Sequence, residues 1–92
     1  MEKVRAHLVI SGRVQGVCFR ACTEEEATRR HLTGWVRNTE EGKVEVVVEG
    51  ESEPVRQLID WCHEGPPTAR VSKVEVTLEK FHGDLTDFRI VR

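Results

Sequence analysis

The sequence predicts an α+β fold whose elements follow the order β-α-β-β-α-β, with a short fifth strand at the end. With 92 residues, the chain is long enough for one domain with one hydrophobic core. Apolar and polar residues alternate in the strand-like stretches, and apolar residues recur every three or four positions in the second helix-like stretch. Glycine or proline separates most of these stretches. We therefore expect a single domain over residues 1–92, with two helices on one face of an antiparallel sheet.

The first strand and the first helix are predicted on either side of a glycine-rich loop. The apolar, β-branched run at 6–11 predicts a buried strand that ends at Gly12. The segment 19–31 lacks proline and glycine, and its glutamates precede its arginines, an order that suits the dipole of a helix. Gly34 stands where a glycine commonly ends a helix, and we expect it to cap this one.

The remaining elements are a hairpin, a second helix and two further strands. Alternating valines predict that the hairpin buries one face, and its turn is Glu40-Glu41-Gly42. The second helix is predicted from a proline in its first turn and from an apolar stripe. The predicted bounds are 35–39 and 43–49 for the hairpin strands, Ser52 or Glu53 up to Gly65 for the helix, and 71–79 and 86–91 for the last two strands.

Charge and cysteine content narrow the class of function. A formal net charge of −2 and a pI near 6.1 argue against nucleic acid or an anionic membrane as the main partner, because both require a basic surface. The chain shows neither the apolar segment of a signal peptide nor an apolar run of membrane-spanning length, so we expect a cytoplasmic protein. Three cysteines in such a chain predict free thiols.

The loop GRVQGVCFR, from Gly12 to Arg20, has the composition of an anion site. Gly12 and Gly16 permit positive φ, so that backbone N–H groups can converge at the start of the helix. Arg20 adds a positive charge where the helix dipole is already positive, which indicates an anion nearby. The spacing matches neither the P-loop nor the dinucleotide fingerprint. A structural turn followed by a surface arginine fits the same pattern, and the loop alone leaves both interpretations open.

Two segments together resemble the signatures of the acylphosphatase family. They are GRVQGVCFR and GWVRNTEEGKVEVVVEG, the latter at 34–50, and the similarity continues through the second helix, the Gly-Pro-Pro turn and TDFRI. The resemblance implies a ferredoxin-like sandwich that hydrolyses the carboxyl-phosphate bond of small acyl phosphates without metal or cofactor. It also implies a monomer that takes up inorganic phosphate or a similar anion in the loop.

The resemblance further implies roles for particular residues. It assigns catalysis to Arg20, as the essential arginine, and to Asn38, as the residue that orients the attacking water. Asn38 taken alone also fits a residue that starts the hairpin turn. The implied phosphate-binding loop comprises Arg13, Val14, Gln15, Gly16, Val17, Cys18 and Phe19.

The cysteines offer two alternative chemistries. Cys18 precedes a helix and lies near Arg20, so a phosphocysteine intermediate is conceivable. Phosphocysteine enzymes space the two residues further apart, whereas Phe19 alone separates them here, and we therefore expect Cys18 to be a bystander. A zinc site that combines cysteines with His63 lacks the usual paired spacing, and Cys62 falls on the apolar stripe of the second helix.

Other classes of protein share the predicted element order. An RNA-binding module needs aromatic residues on the central strands, and 4–11 and 43–49 contain none. A phosphate sensor without turnover would keep the loop, but the presence of Asn38 favours an enzyme. Acylphosphatase-like domains also open larger hydrogenase-maturation proteins, and the length of this chain favours the stand-alone enzyme.

Overall fold

A five-stranded sheet carrying two helices forms the fold, in a computed structural model that describes residues 2–92. The elements are β1 (Lys3–Arg13), α1 (Phe19–Arg29), β2 (Thr33–Asn38), β3 (Val44–Glu51), α2 (Ser52–Glu64), β4 (Arg70–Glu79) and β5 (Phe88–Ile90). This order confirms the predicted β-α-β-β-α-β pattern with a short fifth strand. In residues 2–92, no helix is both long and apolar enough to cross a membrane.

The strands lie side by side in the order β4-β1-β3-β2-β5. The first three of these contacts are antiparallel, as predicted, but β5 runs parallel to β2. The sheet is therefore mixed, and the expectation of an antiparallel sheet fails at β5. The cause is topological: β4 and β2 run in opposite directions, so a strand that reverses the chain after β4 must run in the direction of β2.

The core fills the space between the sheet and the two helices. Val44, Val46 and Val48 of β3 are fully buried, which confirms the buried face predicted for the hairpin. They belong to one apolar cluster with Leu58 and Cys62 of α2. Full burial of a Val or Leu side chain contributes about 1.5–3 kcal/mol to stability, so this layer holds the elements in place.

The expectation that Gly34 caps α1 is wrong. The helix ends at Arg29, and the chain turns through Arg30 and His31, whose φ is 60°. Gly34 lies within β2 at a φ of 146°, and a Cβ atom there would be 1.9 Å from the carbonyl oxygen of Val47. Glycine is therefore required because the two strands approach closely, and not because the helix ends.

A buried carboxylate anchors the segment 80–87 that leads from β4 across the sheet to β5. The side chain of Glu49 is 1% exposed and forms an ion pair of 3.0 Å with Arg5. It also accepts hydrogen bonds from the backbone N–H groups of His82, at 2.9 Å, and Gly83, at 3.2 Å. Glu49, His82 and Asp84 bring three potential metal ligands within 4.8 Å of one another. Because Arg5 already neutralises the carboxylate, we interpret this cluster as an anchor.

Candidate active site

A cavity of about 360 Å³ opens where β1 leads into α1. Helix α1 begins immediately after the loop, at Phe19, so the cavity lies at the positive end of its dipole. Asn38, the last residue of β2, reaches the same cavity from the adjacent hairpin. The lining residues are Val14, Gly16, Cys18, Phe19, Arg20, Ala21, Asn38 and Ile90.

Two left-handed residues shape the loop. Gly16 has a φ of 75° and Cys18 a φ of 65° with a ψ of 21°. A Cβ atom at Gly16 would meet no other group within 4 Å, so its backbone conformation is the reason for glycine there. The hydroxyl of Thr68 donates to the carbonyl of Val17 at 2.8 Å, and Thr68 does not line the cavity. The left-handed backbone at Gly16 and Cys18, together with a Val17 carbonyl that is bound by Thr68, suits a loop whose N–H groups face an anion.

Arg20 carries a positive charge that residues 2–92 do not neutralise. Within residues 2–92 its half-buried side chain has no hydrogen bond or ion pair. The first turn of α1 contains no acidic residue, and Glu26, further along, is occupied by Arg29 and Arg30. The charge of Arg20 therefore adds to the helix dipole, and an anion in the cavity would lower the energy of both.

Asn38, which lines the same cavity, carries an unsatisfied acceptor among residues 2–92. Its Oδ1 atom is buried and has no hydrogen-bond partner among residues 2–92. Val36, two residues earlier on the same face of β2, is fully buried, so Asn38 lies where this buried face ends. Leaving a buried acceptor unpaired costs about 1–3 kcal/mol, which a water or ligand donor would recover. The structure thus brings Arg20 and Asn38 together, eighteen positions apart in the sequence.

The cysteines occupy three different environments. Cys18 is exposed, Cys22 is half-buried, Cys62 is buried, and all three are free, as predicted. Burial raises the pKa of Cys22 above its usual range and that of Cys62 to about 12, so both remain thiols at neutral pH. Within residues 2–92, no three of the cysteines and His63 form a cluster of metal ligands.

The sheet face opposite the helices carries carboxylates that oppose RNA binding. Glu45 lies on this face, 2.6 Å from His7 and 2.6 Å from Arg37. Burial raises the pKa of Glu45, but the hydrogen bonds from His7 and Arg37 outweigh that effect and lower it. Glu45 therefore stays ionised and offsets the charge of Arg37, whereas RNA requires an excess of basic groups on this face.

Comparison with known proteins places these features in a family. The model of the family described as Acylphosphatase matches residues 6–90. The chain belongs to the acylphosphatase family. It is 53% identical over 91 residues to an acylphosphatase of Thermococcus kodakarensis, with 99% of both chains covered. It is 49% identical over 90 residues to one of Syntrophobacter fumaroxidans, with 98% of this chain and 93% of the relative covered.

Solved structures agree with the sequence comparison. The crystal structure of acylphosphatase from Bacillus subtilis superimposes with a TM-score of 0.93 at 32% identity, covering 97% of this chain and 99% of that one. The ferredoxin-like α+β fold implied by the resemblance is therefore confirmed. The activity of this acylphosphatase-family chain is the hydrolysis of acyl phosphates.

The remaining residues implied for the acylphosphatase loop have different surroundings. Arg13 is exposed at the end of β1 and does not line the cavity, whereas Val17 is buried. The side chain of Gln15 is directed to the hairpin. Gly12 belongs to β1, where the register with β4 shifts and a Cβ atom would lie 2.2 Å from the carbonyl oxygen of Arg70. Its φ of 123° confirms the predicted positive φ, and the close approach of β4 is a second reason for glycine at this position.

Two cavity residues of this acylphosphatase-family chain were not predicted from the sequence. Ala21 and Ile90 line the apolar side of the cavity, and Ile90 is 41% exposed. Ile90 reaches the site because β5 pairs with β2, where Ile90 lies opposite Val36, two residues before Asn38. The family-like segment TDFRI contains Ile90, so its similarity to the family was the signal that could have identified it.

Proposed function

We propose that acyl phosphates are hydrolysed in this cavity by in-line attack of a water molecule on a phosphoryl group. In this proposal the loop 13–19 and Arg20 hold the phosphoryl group, and Asn38 orients the water. The observation that carries it is the presence, in one cavity, of an arginine and a buried asparagine oxygen that both lack partners among residues 2–92.

The leaving group explains why so few side chains suffice. Cleavage of the bond between phosphorus and the acyl oxygen releases a carboxylate, whose conjugate acid has a pKa of roughly 4. Such a group departs at neutral pH without a proton from the enzyme. Of the residues that line the cavity, none is a carboxylic acid or a histidine, and a reaction without a general acid is consistent with that set.

The phosphoryl group is bound through charge and backbone donors. Its equatorial oxygens carry the negative charge in a loose transition state, where stabilisation depends on preorganised donors. Backbone N–H groups around Gly16 and Cys18 are shaped for this role, and the planar guanidinium of Arg20 offers two parallel N–H donors.

The water is oriented from the opposite side by the carboxamide of Asn38. Its Oδ1 accepts a hydrogen bond from the water, and its Nδ2 donates to a phosphoryl oxygen or to another acceptor. A neutral amide suits this role because an acyl phosphate is reactive enough to need no strong base. Cys18 remains an exposed residue of the cavity wall and forms no covalent intermediate in this mechanism.

Gly16, Cys18, Ala21 and Ile90 are exposed residues of the cavity wall, so the cavity is open to solvent. Ala21 and Ile90 offer limited contact to an acyl group. We therefore propose low selectivity for that group, in a monomer that acts in the cytoplasm without a metal ion.

Hydrolysis of benzoyl phosphate in the presence of a metal chelator tests the proposal, with a phosphate monoester as the control substrate. We expect turnover of benzoyl phosphate, unchanged by the chelator, and little turnover of the monoester. Activity on neither substrate, or on the monoester alone, would overturn the proposed reaction. Loss of activity on chelation would overturn its independence from metal.

A further inference from the structure

The side chain of Gln15 joins the phosphate loop to the hairpin that carries Asn38. Its Nε2 atom lies 2.9 Å from the carbonyl oxygen of Thr39 and 2.9 Å from that of Lys43. These two residues flank the last pair of the β2–β3 ladder, which is formed by Asn38 and Val44. One amide thus spans the distance from the middle of the loop to the end of the ladder.

The chemistry of the two contacts fixes how this amide is oriented. Carbonyl oxygens only accept hydrogen bonds, so the nitrogen end of the Gln15 amide must face Thr39 and Lys43. An amide nitrogen has two N–H groups, and both are used in this bridge. The nitrogen of Gln15 therefore has no donor left for a phosphoryl oxygen.

The hairpin turn holds its own shape without Gln15. The N–H of Thr39 donates to the carbonyl of Lys43 at 2.8 Å, and the N–H of Lys43 donates to the hydroxyl of Thr39 at 3.1 Å. These bonds close the turn but do not connect it to the loop. Among residues 2–92, the two bonds of Gln15 are the hydrogen bonds that join the loop 14–18 to the turn 39–43.

We propose that Gln15 is a positioning residue, which sets the distance between the carboxamide of Asn38 and the donors of the loop. The inference rests on the proposed function, because it assigns to Asn38 the orientation of the attacking water. Gln15 then acts on the chemical step through Asn38, whereas the loop N–H groups and Arg20 bind the phosphoryl group without it.

The test substitutes Gln15 by methionine, which keeps the length of the side chain and removes its donors. We expect kcat for benzoyl phosphate to fall by up to about a hundredfold, because a displacement of about 1 Å in a reacting geometry costs that much. The inhibition constant of inorganic phosphate should stay within about twofold of the wild-type value, since the anion-binding groups are retained. Circular dichroism and Tm measurements verify that the variant is folded at the assay temperature.

The other glutamine of the chain provides a matched control. Gln57 lies on the exposed surface of α2 and accepts a hydrogen bond from Arg30 at 3.3 Å, and Gln57→Met should leave both constants unchanged. Gln15→Asn is a second variant, whose amide is one methylene too short for both carbonyls. We expect this variant also to lose kcat while its affinity for phosphate stays near the wild-type value.

Several outcomes would overturn the inference. An equal loss of kcat and phosphate affinity would mean that Gln15 maintains the loop itself, and unchanged constants would mean that the bridge has no role. A folded Gln15→Asn variant with wild-type kcat has the same consequence if Gln15→Met does not fold. If the wild-type chain fails to hydrolyse benzoyl phosphate, the proposed function fails. A normal wild-type enzyme with an unaffected Gln15 variant refutes the positioning role alone.

Discussion

Both ends of the β2–β3 ladder carry an arginine beside backbone N–H donors. Among residues 2–92, a carboxylate satisfies these donors at one end and not at the other. At one end Glu49 is held by Arg5 and by the backbone N–H groups of His82 and Gly83. At the other end Arg20 and the loop N–H groups form a comparable set of donors, but among residues 2–92 no carboxylate pairs with Arg20. Glu49 supplies the anion in the first case, whereas in the second the donors are available to an external anion.

The size of the cavities does not distinguish these two ends. The cavity beside Glu49 has a volume of about 410 Å³, compared with about 360 Å³ at Arg20. What differs is whether the donors are already satisfied. A complete set of an arginine, backbone donors and a carboxylate stabilises the fold, whereas the same donors without a carboxylate attract an external anion.

We expect the largest effect at Asn38, the acceptor in the cavity that also contains Arg20. Asn38→Ala should abolish turnover of benzoyl phosphate, because the water loses the group that orients it. The affinity for inorganic phosphate should remain within a few-fold, as measured by inhibition or by calorimetry. A comparable loss of turnover and phosphate affinity would contradict the division of roles between Asn38 and Arg20.

Removal of the Arg20 side chain should lower both turnover and the affinity for phosphate. Arg20→Ala is expected to lower the rate by about 10²–10³, which is the usual effect of losing one preorganised donor. Phosphate inhibition should weaken in the same variant, because Arg20 binds the anion in the ground state as well. Steady-state kinetics with phosphate as a competitive inhibitor measures both effects, and a variant with wild-type phosphate affinity would refute the anion site at Arg20.

A substitution of Glu49 should change the stability of the protein and not its activity. Glu49→Gln should lower the free energy of unfolding by about 1–3 kcal/mol, because it weakens the hydrogen bonds to 82 and 83 and leaves Arg5 without its buried partner. The expected kcat is unchanged, since the site is at the other end of the ladder. Urea unfolding and the benzoyl phosphate assay measure the two quantities, with Glu79→Gln, at the exposed partner of Arg5, as the weaker control.

The same carboxylate predicts how stability depends on pH. Burial raises the pKa of Glu49, but the hydrogen bonds from the His82 N–H, the Arg5 side chain and the Gly83 N–H outweigh it and lower the pKa. Its stabilisation is therefore present above the ordinary pKa of about 4.3 and is lost as the pH falls through the lower value of the folded state. Urea unfolding between neutral and acidic pH should show a smaller decline for Glu49→Gln than for the wild type.

The smallest expected effect concerns the exposed thiol of the cavity wall. Cys18→Ser should retain full activity, because the mechanism uses the backbone of this residue and not its sulfur. Serine is close in size and keeps the loop geometry. Loss of turnover in a folded variant, together with retained phosphate binding, would instead indicate a covalent role for Cys18.

Local patterns predicted much of the fold. Together with the family resemblance, they also predicted Arg20 and Asn38 as residues of the site. The apolar stripe of α2 and the valines of β3 depend on periodicity. The valines are buried as expected, and so is the stripe except for Ile59, which is partly buried. The proximity of Arg20 and Asn38 follows from the order of strands and from the family resemblance. These features depend on residues close together in sequence or on a recognised motif.

Features that depend on distant parts of the chain could not be predicted in this way. Gly34 has the spacing of a helix cap, but its role is decided by the carbonyl of Val47 in the neighbouring strand. Glu49 occupies a position on the sheet face away from the helices, and it is buried because the segment 80–87 crosses there. The bridge made by Gln15 likewise depends on carbonyl groups whose positions no sequence pattern reports.

The short strand β5 has a consequence for the order in which the molecule assembles. Three residue pairs hold it against β2, and the first of them joins Gly34 to Phe88. Contacts between such distant residues form slowly, because a long stretch of chain must be ordered before they are gained. Since β5 delivers Phe88 to the core and Ile90 to the cavity wall, we expect this part of the core and the catalytic site to be completed in the same step.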